Sequence, residues 1–399
     1  MISRRRFVLG LAPVALGAGR SSPASAFQSV DAVVGDAIAR GELPGAVLHV
    51  RARGRVLHEA AFGRVRLDDD APLTASHIFP VASLTKPIVA AAILQLAERK
   101  KLRVDDPVST FLPEFDRPRV LVTYDAATGA MATRPARRAV TVRDLLTHTA
   151  GIHHGHVEID PVLGAIYERA GVVHDSRLLL ADKMRRLGPL PLAHDPGSAW
   201  TYGLSSDVLG RVVEVVAGMP LDQYVTHAIF EPLDMRRAYF FVPPAERANV
   251  VARYSRAEGT LRAMSSDPFA SEARYVSGGG GVLTTIGDYA RFAQALLDGG
   301  APILSRASVR AMTRNQIGDL TAFGFRWGFS VAVSTPNARG QSPLPVGGFG
   351  WYGIFGTWFW TMPRQQAIVL LFTNVLSADM TLPLFARVVH EAVRYASDS

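Results

Sequence analysis

The 399-residue sequence contains no cysteine. This absence excludes a disulfide framework, a thiol nucleophile and a thiolate metal site, so the fold has to be stabilised by packing. A permanent membrane-spanning helix is also missing, because the apolar run over residues 7–19 is too short to cross a bilayer. Hydrophobic residues make up 48% of the chain, which is enough to bury a large core.

The sequence has no basic stripe of the kind that binds nucleic acid. Its formal net charge is +8, but the arginines are spread along the chain and four of them precede residue 21. Loss of these four with a signal segment would leave a net charge of +4. We therefore expect no nucleic-acid partner.

The N-terminus has the pattern of an export signal. Arg4, Arg5 and Arg6 stand directly before the apolar run, and Ala24-Ser25-Ala26 forms a small-x-small cleavage pattern. This arrangement is typical of a twin-arginine signal peptide. We expect a signal peptide over residues 1–26, cleavage after Ala26, and a mature protein that is periplasmic or secreted.

Hydrophobic periodicity and turn residues predict the order of elements along the chain. We expect helices over residues 30–40, 84–100, 145–148, 161–170, 176–187, 205–217, 221–230, 289–297 and 382–396. We expect strands over residues 45–51, 55–61, 325–333, 351–360 and 367–373. Residues 121–138 and 245–276 have no clear period and are expected to be irregular.

One helix start carries a candidate nucleophile. Ser83 and Lys86 are three residues apart, so a helix places both side chains on one face of its first turn. The following residues are apolar, and poor solvation of the lysine favours a neutral amine that can accept the serine proton. A serine cap followed by a surface lysine gives the same pattern, so this motif needs support from the rest of the chain.

Two other segments suggest different chemistry. His153, His154 and His156 could ligate a metal, but no H-E-x-x-H helix and no obvious fourth ligand accompany them, and we expect no metal. The glycines at 278–281 could hold a phosphate, but the lysine that should follow them is absent. Close packing of the backbone explains these glycines better.

The motifs together resemble those of a known family. They are, in order, Ser83-Leu84-Thr85-Lys86, Leu145-Leu146-Thr147-His148-Thr149-Ala150-Gly151, Tyr202 after Pro196-Gly197, Ser277-Gly278-Gly279-Gly280-Gly281, and Trp351-Tyr352-Gly353. This set resembles the serine β-lactamase-related proteins, and among them it is most similar to the family VIII carboxylesterases. The similarity extends over nearly all of the chain after the signal segment.

The resemblance implies an α+β, β-lactamase-like fold in which helices flank an antiparallel sheet. Residues 27–105 and 270–399 would form one discontinuous α/β domain. Residues 106–269 would form an inserted, mostly helical domain, and the site would lie in the cleft between the two.

The resemblance also assigns roles to residues. Ser83 would be the nucleophile, with Lys86 and Tyr202 shuttling protons. The backbone N–H groups of Ser83 and Ile354 would form the oxyanion hole. No cofactor is implied, and whether Lys86 or Tyr202 takes the first proton is left open.

Two departures from the lactamase and peptidase members bear on the substrate. Those proteins usually have an asparagine where this chain has Leu204, and a cation that binds the substrate carboxylate where this chain has Trp351. Loss of such a charge-assisted contact costs roughly 1.5 to 3 kcal/mol. We therefore expect a neutral, apolar ester in a pocket that includes Trp351, Leu204, Tyr352, Gly353 and His153.

Three alternatives stay open at this point. The same site could act as a β-lactamase or as a D-amino peptidase or acyltransferase on a small-molecule ester or amide. The chain could be a non-catalytic relative that binds peptidoglycan or a protein. The three histidines could instead belong to a metallohydrolase, which would be insensitive to the loss of Ser83.

Overall fold

The computed structural model describes residues 23–155, 160–172, 177–264, 274–336, 343–376 and 378–398. Most of the expected signal segment lies outside these residues, and so do His156 and the expected domain boundary at residues 269 and 270. The division into two domains therefore stays a prediction.

The described residues form both helices and strands. The helices are α1 (Pro23–Ala39), α2 (Thr85–Glu98), α3 (Val142–Leu146), α4 (Pro161–Arg169), α5 (Leu180–Leu187), α6 (Ser205–Ala217), α7 (Leu221–Val225), α8 (Ile286–Leu297), α9 (Arg306–Met312) and α10 (Ala378–Asp398). The strands are β1 (Gly45–Ala52), β2 (Arg55–Gly63), β3 (Phe79–Pro80), β4 (Arg119–Tyr124), β5 (Met131–Pro135), β6 (Ala238–Tyr239), β7 (Tyr254–Ala257), β8 (Thr260–Ala263), β9 (Leu283–Thr284), β10 (Arg326–Trp327), β11 (Ala332–Val333), β12 (Phe349–Gly353), β13 (Thr357–Met362), β14 (Ala367–Thr373) and β15 (Val375–Leu376).

Strands from both ends of the chain form one antiparallel seven-stranded sheet. Its order is β10-β11-β12-β13-β14-β1-β2. All seven residues of β14 are buried, because helices cover both faces of the sheet. Successive side chains of a strand point to opposite faces. Phe359 accordingly contacts Tyr289 of α8, whereas Trp358 contacts Phe385 of α10.

Helix α2 lies at the centre of the molecule. Its residues from Thr85 to Leu96 are all buried, which fits a helix that is apolar on every side. It packs against α6 of the helical part of the chain. The predicted α+β class, with an antiparallel sheet flanked by helices, is confirmed.

Two predicted strands were wrong in the same way. Residues 325–333 form the hairpin of β10 and β11, and residues 351–360 contribute to the hairpin of β12 and β13. Both hairpins turn at residues with positive φ, Ser330 at +59° and Gly356 at +74°. The apolar alternation continues across each turn, so it does not show where the chain reverses.

Two segments that we expected to be irregular contain hairpins. Strands β4 and β5 pair within residues 119–135, and β7 pairs with β8 within residues 254–263. Their residues are largely exposed or half-buried. The apolar period that identifies a strand is therefore weak in these hairpins.

Thr141 and Asp144 form a capping box at the start of α3, with both of its hydrogen bonds. Helix α3 ends at Leu146 and not at His148 as predicted, because His148 has a positive φ of +56°. Within the described ranges, no helix is long and apolar enough to cross a membrane.

Candidate active site

Ser83 lies in a single 3-10 turn, Ala82–Leu84, immediately before α2. Ala82 has a φ of +45°, a conformation that non-glycine residues rarely adopt and that is held only by surrounding contacts. These contacts come from three elements. The Val81 carbonyl accepts from Thr357 Oγ1 at 3.2 Å, the Thr85 hydroxyl accepts from Val282 N at 3.0 Å, and the Leu84 carbonyl accepts from Tyr289 Oη at 2.9 Å.

Lys86 connects the serine to the glycine-rich segment. Lys86 as a whole residue is only 4% exposed, and its Nζ donates to Ser83 Oγ at 3.1 Å. Nζ also donates to the Gly279 carbonyl at 2.6 Å, and it lies 4.7 Å from the centre of the Tyr202 ring. The predicted meeting of Ser83 and Lys86 on one face of the first turn is therefore present.

The glycine-rich segment is shaped by Asp207 of α6. This buried carboxylate accepts from the Tyr275 hydroxyl, from Ser277 Oγ at 2.9 Å and from Gly279 N at 3.3 Å. A Cβ at Gly278 would lie 2.3 Å from the Ser206 carbonyl oxygen, so the backbone packs closely against α6. Close packing explains these glycines, as expected, and their backbone also supplies the Gly279 carbonyl to Lys86.

Burial is the main cause that holds the pKa of the Tyr275 phenol well above its usual value. The nearby Asp207 carboxylate raises this pKa further. Lys183 lies over the Tyr275 ring at 4.0 Å from its centre. Tyr275 therefore stays a neutral donor to Asp207 at ordinary pH.

Tyr202 is held between the loop after α3 and strand β12. Thr201 N donates to the His148 carbonyl at 2.8 Å, and a Cβ at Gly203 would lie 2.3 Å from the Ile152 carbonyl oxygen. On the other side, Trp351 Nε1 donates to Tyr202 Oη at 3.0 Å. A donor aimed at a phenol oxygen stabilises negative charge on it.

His148 packs against the back of the Tyr202 ring, at 4.7 Å between ring centres. It is fully buried, and neither ring nitrogen has a hydrogen-bond partner among the described residues. Burial, followed by repulsion from Lys86 and then from His154, holds the pKa of His148 well below its usual value. This imidazole is therefore neutral at neutral pH.

The start of the turn after β12 lies beside Ser83. A Cβ at Gly353 would lie 2.3 Å from the Val81 carbonyl oxygen, so only glycine allows the strand to approach the serine turn this closely. Ile354 follows as the first residue after the strand, and 52% of its side chain is exposed. Backbone N–H groups at a helix start and a strand end can bind a developing oxyanion without any side chain.

The residues expected to line the pocket do not all face the same way. Trp351 faces Tyr202, whereas the Tyr352 ring lies 4.6 Å from the Trp351 ring and also stacks on Trp358 at 4.6 Å. Trp358 stacks on Phe385 of α10, so Tyr352 lies between Trp351 and the α10 face. Leu204 is half-buried at the start of α6.

Of the histidines, His154 packs edge-on against Tyr202 at 5.0 Å. His153 is buried next to it, where Nδ1 accepts from Gly155 N at 3.3 Å and the rings of His153 and His154 are 5.7 Å apart. Within the part of the chain that the structure describes, no group of three or more potential ligands could hold a metal ion.

Sequence reasoning did not single out Asp207 or Trp327. Trp327 supports Trp351 edge-on at 4.4 Å. The positions of Asp207 and Trp327 in the sequence do not connect either residue to Ser83, because only the folded chain brings them near the site. His148 could be recognised from the sequence, because it belongs to the Leu145-to-Gly151 motif.

A model of the beta-lactamase family matches residues 30–393. The chain belongs to the beta-lactamase family. Esterase EstB of Burkholderia gladioli is 33% identical over 387 residues, which cover 90% of this chain and 93% of that protein. Monacolin J acid methylbutanoyltransferase of Aspergillus terreus is 31% identical over 287 residues, covering 69% of this chain and 68% of that protein.

A solved member of this fold gives the same result. EstCE1, described as a hydrolase with promiscuous acyltransferase activity, superposes with a TM-score of 0.79 at 26% identity, over 93% of this chain and 99% of that one. The resemblance to serine β-lactamase-related proteins is confirmed. This beta-lactamase family member is an enzyme of the serine-hydrolase type.

Proposed function

We propose that the chain hydrolyses neutral carboxylic esters through an acyl-enzyme on Ser83. The observation that carries the proposal is the contact of the buried Lys86 Nζ with Ser83 Oγ at 3.1 Å. Proximity of a base to a serine hydroxyl is what this chemistry requires. A carboxylesterase activity also agrees with the likeness to Esterase EstB.

In the acylation step, Ser83 Oγ attacks the ester carbonyl and loses its proton to the pair formed by Lys86 and Tyr202. The carbonyl oxygen becomes an oxyanion, and the backbone N–H groups of Ser83 and Ile354 bind it. Collapse of this intermediate breaks the bond to the alcohol oxygen. The pair then returns a proton to the departing alkoxide, with Tyr202 Oη as the donor.

In the deacylation step, water takes the place of the alcohol. The same pair removes a proton from the water, and a second oxyanion forms in the same place. Its collapse releases the carboxylic acid and restores the Ser83 hydroxyl. These steps need only groups that the chain itself carries.

The preference for a neutral ester rests on Trp351. At this position β-lactam- and peptide-binding relatives usually carry a cation, whereas here an indole donates to Tyr202 Oη. A substrate carboxylate would lose a charge-assisted contact worth roughly 1.5 to 3 kcal/mol, on the order of tenfold to a hundredfold in affinity. An apolar ester has no carboxylate to bind there, so it loses no affinity when Trp351 replaces the cation.

The test compares two substrates on purified protein. We expect efficient cleavage of short-chain p-nitrophenyl esters and poor turnover of a chromogenic cephalosporin, with Ser83→Ala inactive toward both. Efficient cephalosporin turnover with negligible ester cleavage would replace the proposal by a β-lactamase. Ester cleavage that survives Ser83→Ala but not a chelator would favour the metallohydrolase.

We also propose that the protein is exported to the periplasm or beyond. The support is the sequence pattern of Arg4, Arg5, the apolar run and Ala24-Ser25-Ala26. Cleavage after Ala26 would leave Phe27 at the new N-terminus, with its ring stacked on His58 at 4.8 Å. N-terminal sequencing of the exported protein tests the cleavage site, and an Arg4→Lys, Arg5→Lys variant that is still exported would contradict the twin-arginine route.

A further inference from the structure

A tight turn before β10 carries an unusual residue. Ala322 and Phe325 exchange two backbone hydrogen bonds of 2.9 Å, which leaves Phe323 and Gly324 as the two residues of the turn. Both have positive φ, +49° and +82°. This is the geometry of a type I′ turn, whose first central position favours asparagine, aspartate or glycine.

Two equivalent turns of the same chain carry a polar residue at this position. Arg53-Gly54 connects β1 to β2, and Glu258-Gly259 connects β7 to β8, with φ values between +48° and +78°. Their first residues are long polar side chains. Phe323 is instead an aromatic residue that is 63% exposed. It is therefore neither a preferred residue for this turn nor a part of the buried core.

The Phe323 ring lies at the edge of the site. Its centre is 5.2 Å from that of Trp200, 6.3 Å from that of Tyr202 and 6.4 Å from that of Trp351. The planes of Phe323 and Trp351 are only 18° apart. A strained turn thus presents an exposed apolar ring beside the phenol whose oxygen accepts from Trp351.

We infer that Phe323 is a specificity-determining residue that binds the alcohol portion of the ester. The inference rests on the proposed function, because there Tyr202 Oη gives the proton to the departing alcohol oxygen. That oxygen must come within hydrogen-bond distance of Tyr202, and the substituent it carries then extends from Tyr202 toward the Phe323 ring. Esters of aryl or bulky apolar alcohols are therefore the favoured substrates.

The same surface receives an alcohol that competes with water for the acyl-enzyme. In that step the alcohol oxygen forms a bond to the acyl carbon, the bond to Ser83 Oγ breaks, and the proton of the alcohol returns to Ser83. An apolar alcohol gains contact with Phe323, whereas water does not. Apolar alcohols are therefore better acceptors than their concentration relative to water would suggest.

The test keeps the acyl group constant and varies the alcohol, with 1-naphthyl acetate and ethyl acetate as substrates. We expect Phe323→Asn to lower kcat/KM about tenfold for 1-naphthyl acetate and to change it little for ethyl acetate. Hydrolysis of the acetyl-enzyme, measured after a rapid burst, stays at the wild-type rate because the alcohol has already left. The melting temperature stays equal or rises, because asparagine suits the turn.

Two controls accompany this variant. Phe323→Tyr keeps the ring and should retain the preference for 1-naphthyl acetate. Glu258→Asn makes the same change in the equivalent turn between β7 and β8, and should leave both substrates unaffected.

Equal losses for both acetates together with a lower melting temperature would show a structural role and overturn the inference. An unchanged preference in Phe323→Asn would also overturn it while leaving the proposed function intact. Absence of ester cleavage by the wild type would instead remove the proposed function itself, and the inference with it.

Discussion

Trp351 Nε1 donates a hydrogen bond to Tyr202 Oη across 3.0 Å. The indole N–H is a donor that stabilises negative charge on the phenol oxygen. Under the proposed mechanism, Trp351 therefore acts on the proton shuttle as well as on the pocket. Its effect on catalysis and its effect on packing can be separated.

Substitution Trp351→Phe removes this donor and keeps an aromatic ring. Because a hydrogen bond to a charged group is worth about 1.5 to 3 kcal/mol, we expect kcat for a short-chain ester to fall at least about tenfold. Trp358→Phe is the matched control, since Trp358 Nε1 donates to Thr381 Oγ1 at 2.7 Å on the α10 face. Both variants lose stability, and a wild-type kcat in Trp351→Phe would contradict the role of the donor.

Substitution Gly279→Ala tests the carbonyl that Lys86 contacts. The new Cβ would lie 2.6 Å from Asp207 Oδ2 and 3.5 Å from Lys86 Nζ. Asp207 cannot easily move away because Ser277 and Tyr275 also donate to it. Displacement of a catalytic group by about 1 Å costs on the order of a hundredfold in rate, and we expect a loss of that size in kcat.

The matched glycine is Gly287 in α8, where an added Cβ has no heavy atom within 4 Å. Gly287→Ala should keep full activity and equal or higher stability, since alanine favours a helix. Wild-type ester turnover in Gly279→Ala would show that the Gly279 carbonyl does not position Lys86.

His148 predicts an acid-dependent loss of stability. Burial, with Lys86 and His154 nearby, lowers its pKa well below 6.5 in the folded state, whereas the unfolded chain keeps the ordinary value. Below about pH 6.5 the unfolded state binds a proton that the native state does not, so the free energy of unfolding falls as the pH falls. The fall approaches about 1.4 kcal/mol per pH unit until the native pKa is reached.

Urea unfolding of the wild type and of His148→Asn measures this contribution. Asparagine tolerates the positive φ of position 148 and does not titrate there. The variant is less stable at about pH 7.5 because ring packing against Tyr202 is lost, but its disadvantage should shrink as the pH falls toward about 5. Two curves that stay parallel over this range would mean that the pKa of His148 is the same in the native and the unfolded states, which would contradict this account.

The part of the site that could be predicted from the sequence is the part written in short motifs. Ser83 and Lys86 are one helical turn apart, so local geometry brings them together, and they meet at 3.1 Å. The contact of Tyr202 with Trp351 spans 149 residues, and the contact of Lys86 with Gly279 spans 193. Spacing carries no information on such contacts, which depend on the packing of α2, α6 and the sheet.

In the fold, too, features set by local sequence could be predicted, whereas other features could not. The continuous apolar run over residues 367–373 predicts a central strand, and β14 has these limits with all seven residues buried. The aromatic run over residues 349–362 looks equally continuous, yet it reverses at residues 354–356, where Gly356 has a φ of +74°. Alternation indicates which residues are buried, but a turn within an apolar run needs its own signal.

The central claim is that Ser83 forms the covalent acyl-enzyme. Intact-mass measurement after treatment with a fluorophosphonate probe tests it most directly, followed by peptide mapping of the adduct. We predict one probe per chain, attached to Ser83, and no adduct in Ser83→Ala. An unlabelled wild type, or an adduct that persists elsewhere in Ser83→Ala, would contradict the account.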